Sequence, residues 1–535
     1  MQTRSKSGIY KPKQIFTLLS QDNDRVTPTS YRQAAQHDQW NKAMQNEYNA
    51  LIRQNTWTLV PLPPNKRPLG CKWTYKIKLL PSGQIDRYKA RLVALGYDQR
   101  FGENCTETFS PVAKMTTFRM LLTLAVNRKW EVLQLDVTNA FLHGDLPDDI
   151  YMRQPQGFED KRHPHHVCKL QKSLYGLKQA PRQWFQKFTN FLLQRGFRFS
   201  RSDSSLLLYS KNNIQIFLLV YVDDILVTGN NSDSIQQLLR ALHTEFALKQ
   251  LGIISLFLGI KVLRTQQGYF LSQEHYANKL IHDAGFDQCK NAQTPIVPTI
   301  SKTQSDSPPF HDASLYQRLA GSLQYLTITR PDIAFATNQA CQRMHQPTEQ
   351  NFKNLKRILR YIKGTAHLGL PIQPGDPQLQ TYTDADWASD TTDRKSITGH
   401  CSFIGPNLIS WSVKKQVTVA KSSTEAEYRA LSAATSEAIW LRRLADELQL
   451  FQTAPTTIHC DNISAIAIAK NSVFHARTKH IEIDYQFIRQ HIHDGNIHIQ
   501  HITSQQQIAD VFTKPFSSPR FNYLRSKLTV RGPEA

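Results

Sequence analysis

The stretch IQIFLLVYVDDILVTG, Ile214 to Gly229, decides how the rest of the chain is read. It is mostly apolar, but carries two adjacent acids, Asp223 and Asp224. The runs Leu206–Tyr209 and Ile214–Val227 flank Lys211-Asn212-Asn213, which marks a β-hairpin. Paired acids in such a run are costly unless something compensates them. One reading is a solvated turn that uses Asp for its tolerance of left-handed backbone. The other is a metal-binding turn. A third acid favours the second reading: Asp136 ends the β-like run Val132–Val137 in LDVTNAF. Carboxylates on neighbouring strands can hold two Mg²⁺ ions about 3.5–4 Å apart.

Composition agrees with a polyanionic partner. The 535 residues include 65 Lys+Arg against 43 Asp+Glu, a formal charge of +22. Nucleic acid is the first candidate and an anionic membrane surface the second. Ile214–Val227 is too short, and too charged at its centre, to span a bilayer. The seven cysteines are odd in number and widely spaced, with no CxxC. That excludes a disulfide framework and a Cys-rich zinc module and fits a reducing compartment. The basic N-terminus lacks the apolar core of a secretory signal.

Residues 1–30 read as a flexible basic lead-in. Tyr31–Arg53 carries a helical pattern with Ala35, Trp40, Met44, Tyr48 and Leu51 as its apolar set. Lys72–Leu79 and Ile85–Leu95 flank Pro81-Ser82-Gly83 as a second hairpin. Between Lys66 and Arg91 lie eight basic residues and the single acid Asp86. Phe118–Val126 and Pro181–Leu193 read as helices. Residues 298–313 and 371–377 are rich in Pro and polar residues and mark boundaries. Lys353, Lys356, Arg357 and Arg360 recur at i, i+3, i+4 and i+7, opposite Leu355, Ile358, Leu359 and Ile362. This is an amphipathic helix with a basic stripe, either an ordinary solvated face or a track for phosphates.

The last third carries four spaced acids. Asp384 ends a β-run (Gln380–Thr383) in TDADWA, and is preferred to Asp386 because it directly ends the strand. His400–Trp411 is a further β-like segment. Glu427 lies in the first turn of the helix Ser423–Leu448, Asp461 follows the strand Thr457–Cys460, and Asp510 opens a terminal helix. Each has a bland reading: Glu427 as a capping glutamate to Thr424, Asp461 as an N-cap, Asp510 as a partner of a helix dipole. Together they follow the order strand, helix, strand, helix, which suits a second two-metal site. His501 reads as a surface or strand residue, and His475 and His480 as structural histidines.

LDVTNAFLHGDL, LYGLKQAPRQW, YVDDILVTG, LFLGIKV, KARLVALGYDQRFGENCTETFSPVAKMTTFRMLLTLA, VAKSSTEAEYRAL, HCDN and ARTKHIEIDY together resemble the copia-type LTR-retrotransposon Pol polyprotein, almost continuously from Gln39 to Pro515. The resemblance implies an α/β and α+β multidomain chain. A right-hand polymerase (fingers, palm and thumb, 31–297) is followed by a linker and connection (298–377). A ribonuclease H-like αβ domain (378–516) and a tail (517–535) come last. It implies reverse transcriptase and ribonuclease H activities with two Mg²⁺ per site, Mn²⁺ being an alternative. Asp136, Asp223 and Asp224 would serve the first site; Asp384, Glu427, Asp461 and Asp510 would serve the second. Lys89 and Arg91 would grip the incoming triphosphate. Phe141 would exclude a 2′-hydroxyl, and Tyr175 and Gly176 would line the nucleotide pocket. Leu258 and Gly259 would grip the primer end, and the basic stripe would lie along template and primer.

The implied partners are an RNA template, a DNA primer, RNA–DNA hybrid, deoxynucleoside triphosphates and other parts of the Gag and Pol polyproteins. Homodimerisation is left open. The implied setting is a cytoplasmic virus-like particle with nuclear entry, not a membrane. No zinc-knuckle, aspartic-protease or integrase motif occurs, so those parts are expected before residue 1. The rival reading is an inactive or domesticated nucleic-acid-binding relic.

Overall fold

A computed structural model describes residues 27–79, 84–298, 307–390, 392–471 and 482–533. Its contacts define two units. The first joins Met1–Ser110 to Asn139–Phe188; the second joins Pro111–Thr138 to Thr189–Ala535. His475, His480 and most of the lead-in lie outside the described residues.

In the first unit the basic stretch forms an antiparallel ribbon, Cys71–Leu79 against Ile85–Ala94, with Lys76 opposite Lys89 and Thr74 opposite Arg91. The helix Asp38–Arg53 packs on it through Trp40, Met44 and Leu51. The helix expected over Tyr31–Arg53 is broken, because Tyr31–Ala34 forms a separate turn capped by Ser30. Ala34 is therefore the buried alanine, and Ala35 ends the turn half-exposed. A three-stranded sheet orders Trp57–Val60, Val167–Leu170 and Tyr151–Met152.

The second unit holds an antiparallel six-stranded sheet in the order Leu248–Ile253, Val132–Val137, Asp224–Gly229, Ile214–Tyr221, Leu206–Lys211, Arg198–Phe199. The apolar run Ile214–Val227 is thus two strands, broken at Val222 and Asp223. A four-stranded sheet follows, Leu256–Phe257, Ile260–Thr265, Gly268–Ser272 and Leu370–Ile372. A five-stranded sheet orders Asn407–Lys415, Ile397–Ile404, Leu379–Asp386, Thr456–Cys460 and Ile497–His501. Its first three strands are antiparallel and its last two join in parallel. The segment His400–Trp411 is a hairpin and not one strand. Gly405, at φ +56°, and Pro406 make its turn.

One apolar core runs through the second unit from Phe118 to Val530, across the boundaries expected at 298 and 378. The buried Arg119 is fixed there by the carbonyls of Ile409 (2.9 Å) and Ile328 (2.6 Å), and lies 4.0 Å over the ring of Trp411. Its burial pulls its pKa down to about 9. Glu447, near the end of the helix Ser423–Glu447, accepts from Ser200 Oγ (2.7 Å) and the N–H groups of Arg201 (2.8 Å) and Ser202 (3.2 Å). The residues read as a tail instead form the helix Ser518–Lys527, which buries Phe521 and Leu524. Asp510 lies within a short 3₁₀ turn, Ile508–Phe512, ahead of that helix rather than opening it.

Candidate functional site

The strand register brings the first three acids together. Asp224 pairs directly with Asp136 across adjacent antiparallel strands, and the Asp223 carbonyl accepts from Val137 N–H at 3.2 Å. Asp223 sits in the turn before Asp224. Its predecessor Val222 has φ +53°, a conformation β-branched residues rarely adopt. That backbone costs about 1–2 kcal/mol. Burial, then the neighbouring charges of Asp223 and Asp136, push the Asp224 carboxyl up to about 6. Like charges held this close disfavour ionisation of Asp224, and a bound cation would reverse the effect.

Leu258 and Gly259 form another left-handed turn, at φ +50° and φ +75°. Tyr325, which the sequence reading missed, donates its hydroxyl to the Leu258 carbonyl at 2.6 Å. A Cβ on Gly259 would lie 2.2 Å from that hydroxyl. Tyr325→Phe is expected to cost about 1 kcal/mol by unpairing the carbonyl. Gly259→Ala should cost more, since contact and backbone conformation both oppose it. Denaturant unfolding of the two variants checks the order; equal losses would remove the role of the left-handed turn.

Arg91, Tyr175 and Phe141 meet within the first unit. The Arg91 guanidinium lies 4.5 Å from the Tyr175 ring centroid, and Tyr175 meets Phe141 edge to face at 4.8 Å. Arg91 Nε is buried with no hydrogen-bond partner. Burial, then repulsion from Arg91, lowers the Lys89 pKa. Burial raises Glu47 on the helix Asp38–Arg53, against the pull of Arg91 and Lys89. Gly176, at φ +95°, lies where a Cβ would stand 2.1 Å from the Ala94 carbonyl. This close passage lets Tyr175 accept from Ala94 N–H at 2.8 Å.

The basic stripe is divided. In the helix Glu349–Thr365, Arg357 donates to Thr294 Oγ1 at 2.9 Å and Arg360 to the Lys290 carbonyl at 2.7 Å. Both therefore brace the segment 290–294. Lys353 is exposed, and Lys356 lies 5.0 Å over the Phe352 ring.

Asp384 on the strand Leu379–Asp386, Glu427 on the helix Ser423–Glu447 and Asp461 just after the strand Thr456–Cys460 offer oxygens that all lie within 4.8 Å of one another. Asp386 is committed elsewhere: its carboxylate accepts from Ile397 N–H at 2.5 Å. The bland readings of two acids fall on their neighbours. Ser422 caps the helix Ser423–Glu447, with Glu425 at the third position, so Glu427 caps nothing. Asn462 caps the helix Ile463–Lys470, so Asp461 does not. Asp461 instead accepts from Ser504 Oγ at 2.7 Å. Asp510 joins the cluster through Lys514, whose ammonium lies 3.0 Å from Asp384 Oδ1 and 2.8 Å from Asp510 Oδ1. Thr513 Oγ1 donates to Asp384 Oδ2. Lys514, Thr513 and Ser504 were missed; the only signal was the position of Lys514 four residues after an acid, in IADVFTKP. His501 ends the strand Ile497–His501 on the surface.

The donors fit a hard divalent cation, being all carboxylate oxygens, the set that suits Mg²⁺ and Mn²⁺. Glu427 Oε2 is buried and lacks a hydrogen-bond partner. Burial, then Asp384 and Asp461, push the Glu427 carboxyl up to about 9. Burial and Asp384 push Asp510 up to about 7, against the pull of Lys514.

Residues 54–298 match the family described as reverse transcriptase (RNA-dependent DNA polymerase). The chain is 44% identical over 532 residues to the retrovirus-related Pol polyprotein from transposon RE1 of Arabidopsis thaliana, covering 99% of this chain and 36% of that protein. It is 30% identical over 298 residues to the putative transposon Ty5-1 protein of Saccharomyces cerevisiae, covering 55% of this chain and 97% of that one. Among solved structures, the N-terminal RNase H domain of rv2228c from Mycobacterium tuberculosis is similar at 12% identity and a TM-score of 0.19, covering 28% of this chain and 96% of that chain. The chain thus spans little more than a third of the length of the RE1 polyprotein. Among the described residues, no helix is long and apolar enough to cross a membrane.

Proposed function

The chain belongs to the copia-type retrotransposon Pol family, and from that membership we propose that it copies RNA into DNA and degrades the RNA strand of the resulting hybrid. The observation that carries the polymerase half is the pairing of Asp224 with Asp136 beside Asp223 in the turn. The converging set of Asp384, Glu427 and Asp461 supports the nuclease half. Mg²⁺ bound at each carboxylate set would activate the attacking oxygen and neutralise charge on the leaving group.

The chain's own residues do the rest. Asp136, Asp223 and Asp224 fix the primer 3′-end and the triphosphate in line. Lys89 and Arg91 bind the triphosphate and stabilise the charge that grows on it. Tyr175 packs its ring against the Arg91 guanidinium, and Gly176 lets that segment approach the basic ribbon. Leu258 and Gly259 hold the primer strand. In the nuclease site Asp384, Glu427, Asp461 and Asp510 orient the scissile phosphate and an attacking water. In this reading the first unit is the fingers, the six-stranded sheet the palm, and the helices after Gln273 the thumb and connection. The setting is a virus-like particle in the cytoplasm, and the nucleic acids named above are the partners.

Primer extension on an RNA template tests the reading, with and without a chelator. Absence of Mg²⁺-dependent extension by folded protein would leave the inactive relic. Phe141→Ala in the same assay is expected to raise ribonucleotide incorporation relative to deoxynucleotide while sparing much of the latter. An unchanged ratio would remove sugar discrimination from Phe141.

A further inference from the structure

We infer that Lys514 is a built-in counter-cation that orders metal entry into the second carboxylate cluster, its ammonium holding the Asp384–Asp510 side closed until the Glu427–Asp461 side is occupied. The inference rests on the nuclease reading above.

The two sides of the cluster are unequally satisfied. Asp384 has both oxygens engaged, Oδ1 by Lys514 at 3.0 Å and Oδ2 by Thr513 Oγ1. Asp510 gives Oδ1 to Lys514 at 2.8 Å, and its Oδ2 lies 3.8 Å from Arg520 Nη2. Across the cluster Glu427 Oε2 is buried and has no hydrogen-bond partner. The unpartnered oxygen therefore lies towards Glu427, and the carboxylates already met by a cation lie towards Asp510.

Lys514 is built for this place. The 3₁₀ turn Ile508–Phe512 carries Asp510, and the Asp510 carbonyl accepts from the N–H groups of Thr513 (3.0 Å) and Lys514 (2.9 Å). That fold-back aims the lysine stem at the acid four residues before it. A divalent ion bridging Asp384 and Asp510 and the ammonium would claim the same two oxygens and repel each other. One must leave for the other to enter. The Lys514 side chain is 38% exposed, against 0% for Asp384 and 6% for Asp510. Its flexible four-carbon stem can carry the head into water while the backbone stays in place. Arginine keeps the charge; glutamine keeps a donor without charge.

The test measures metal binding on the full chain. Asp223→Asn is the background, chosen to weaken binding at the other carboxylate set. Free Mn²⁺ is followed by electron paramagnetic resonance, and the melting temperature is recorded in EDTA and in Mn²⁺. The background chain is expected to bind Mn²⁺ at the cluster in two steps of unequal affinity. Adding Lys514→Met should tighten the weaker step about tenfold or more. It should also lower the melting temperature in EDTA and enlarge the rise that Mn²⁺ produces. Lys514→Arg should keep the original gap between steps. Lys514→Gln carries the same expectation as methionine should Lys514→Met fail to fold. A weaker step unchanged in both neutral variants, with stability lost equally in EDTA and Mn²⁺, means a structural lysine and overturns the inference. Asp461→Asn separates the two levels: if it removes no Mn²⁺ binding from the background chain, the nuclease reading falls and the inference with it.

Discussion

Asp223→Asn is expected to abolish primer extension on an RNA template while cleavage of a preformed RNA–DNA hybrid continues near the unsubstituted rate. Asn keeps the size of the side chain and one oxygen, so the strained turn at Val222 survives. It removes the negative charge that, in the proposed reading, joins Asp136 and Asp224 in holding a divalent cation. Loss of one preorganised charge-stabilising group costs on the order of 10²–10³ in rate, and a shared metal ligand should reach the upper end. Asp461→Asn is expected to do the reverse, because its carboxylate converges with Asp384 and Glu427 on the other sheet. Paired extension and cleavage assays on each purified variant decide the matter. If Asp223→Asn lost both activities while still binding hybrid, two independent centres would be the wrong description.

Asp136 and Asp461 were legible because one stands near the end of the strand Val132–Val137 and the other directly follows Thr456–Cys460. Asp384 was chosen as the end of its strand, but that strand runs on to Asp386, and Glu427 and Asp510 sit in a helix and a 3₁₀ turn. Alternation in the pattern locates such strands, and the pairing of strands then brings their ends together. What was hidden depends on contacts between residues far apart in sequence. Tyr325 reaches Leu258 across 67 residues, and Thr513 reaches Asp384 across 129. No periodicity records such a pairing. The basic stripe shows a related limit. Helical spacing put Arg357 and Arg360 on one face, but it could not show that each also donates a hydrogen bond to the segment 290–294. The division into domains was also read from composition. Pro-rich boundaries do not register a core that continues beneath them from Phe118 to Val530.

The largest loss of stability from one substitution is expected at a pair that no motif marks. Arg330 and Asp332 lie two residues apart in TRPDIAF and are both buried, with side chains 1% and 0% exposed. Arg330 Nε and Nη2 donate to the two Asp332 oxygens at 2.9 and 2.8 Å, and Nη1 donates to the Thr365 carbonyl at 2.6 Å. The Tyr361 hydroxyl donates to Asp332 Oδ2 at 2.6 Å and accepts from Arg525 Nη1 at 3.1 Å. One carboxylate thus organises the helix Glu349–Thr365 and, through Tyr361, the helix Ser518–Lys527. Burial opposes the charge on Asp332, but Arg330 and the Tyr361 hydrogen bond outweigh it and hold its pKa below the usual carboxylate range. A carboxyl depressed in the folded state adds stability above its unfolded pKa, and loses it as pH falls towards the folded value. Asp332→Ala leaves a guanidinium buried and unpaired, and should cost about 3–5 kcal/mol. Replacing both partners, Arg330→Met with Asp332→Leu, removes the stranded charge and should cost less than Asp332→Ala alone. Urea unfolding at neutral pH gives both values, and repeating it below about pH 4, under the unfolded pKa of an Asp, should shrink the gap between the unsubstituted chain and Asp332→Ala. A double variant as unstable as the sum of the two single ones would mean that the ion pair contributes nothing beyond the shape of its side chains.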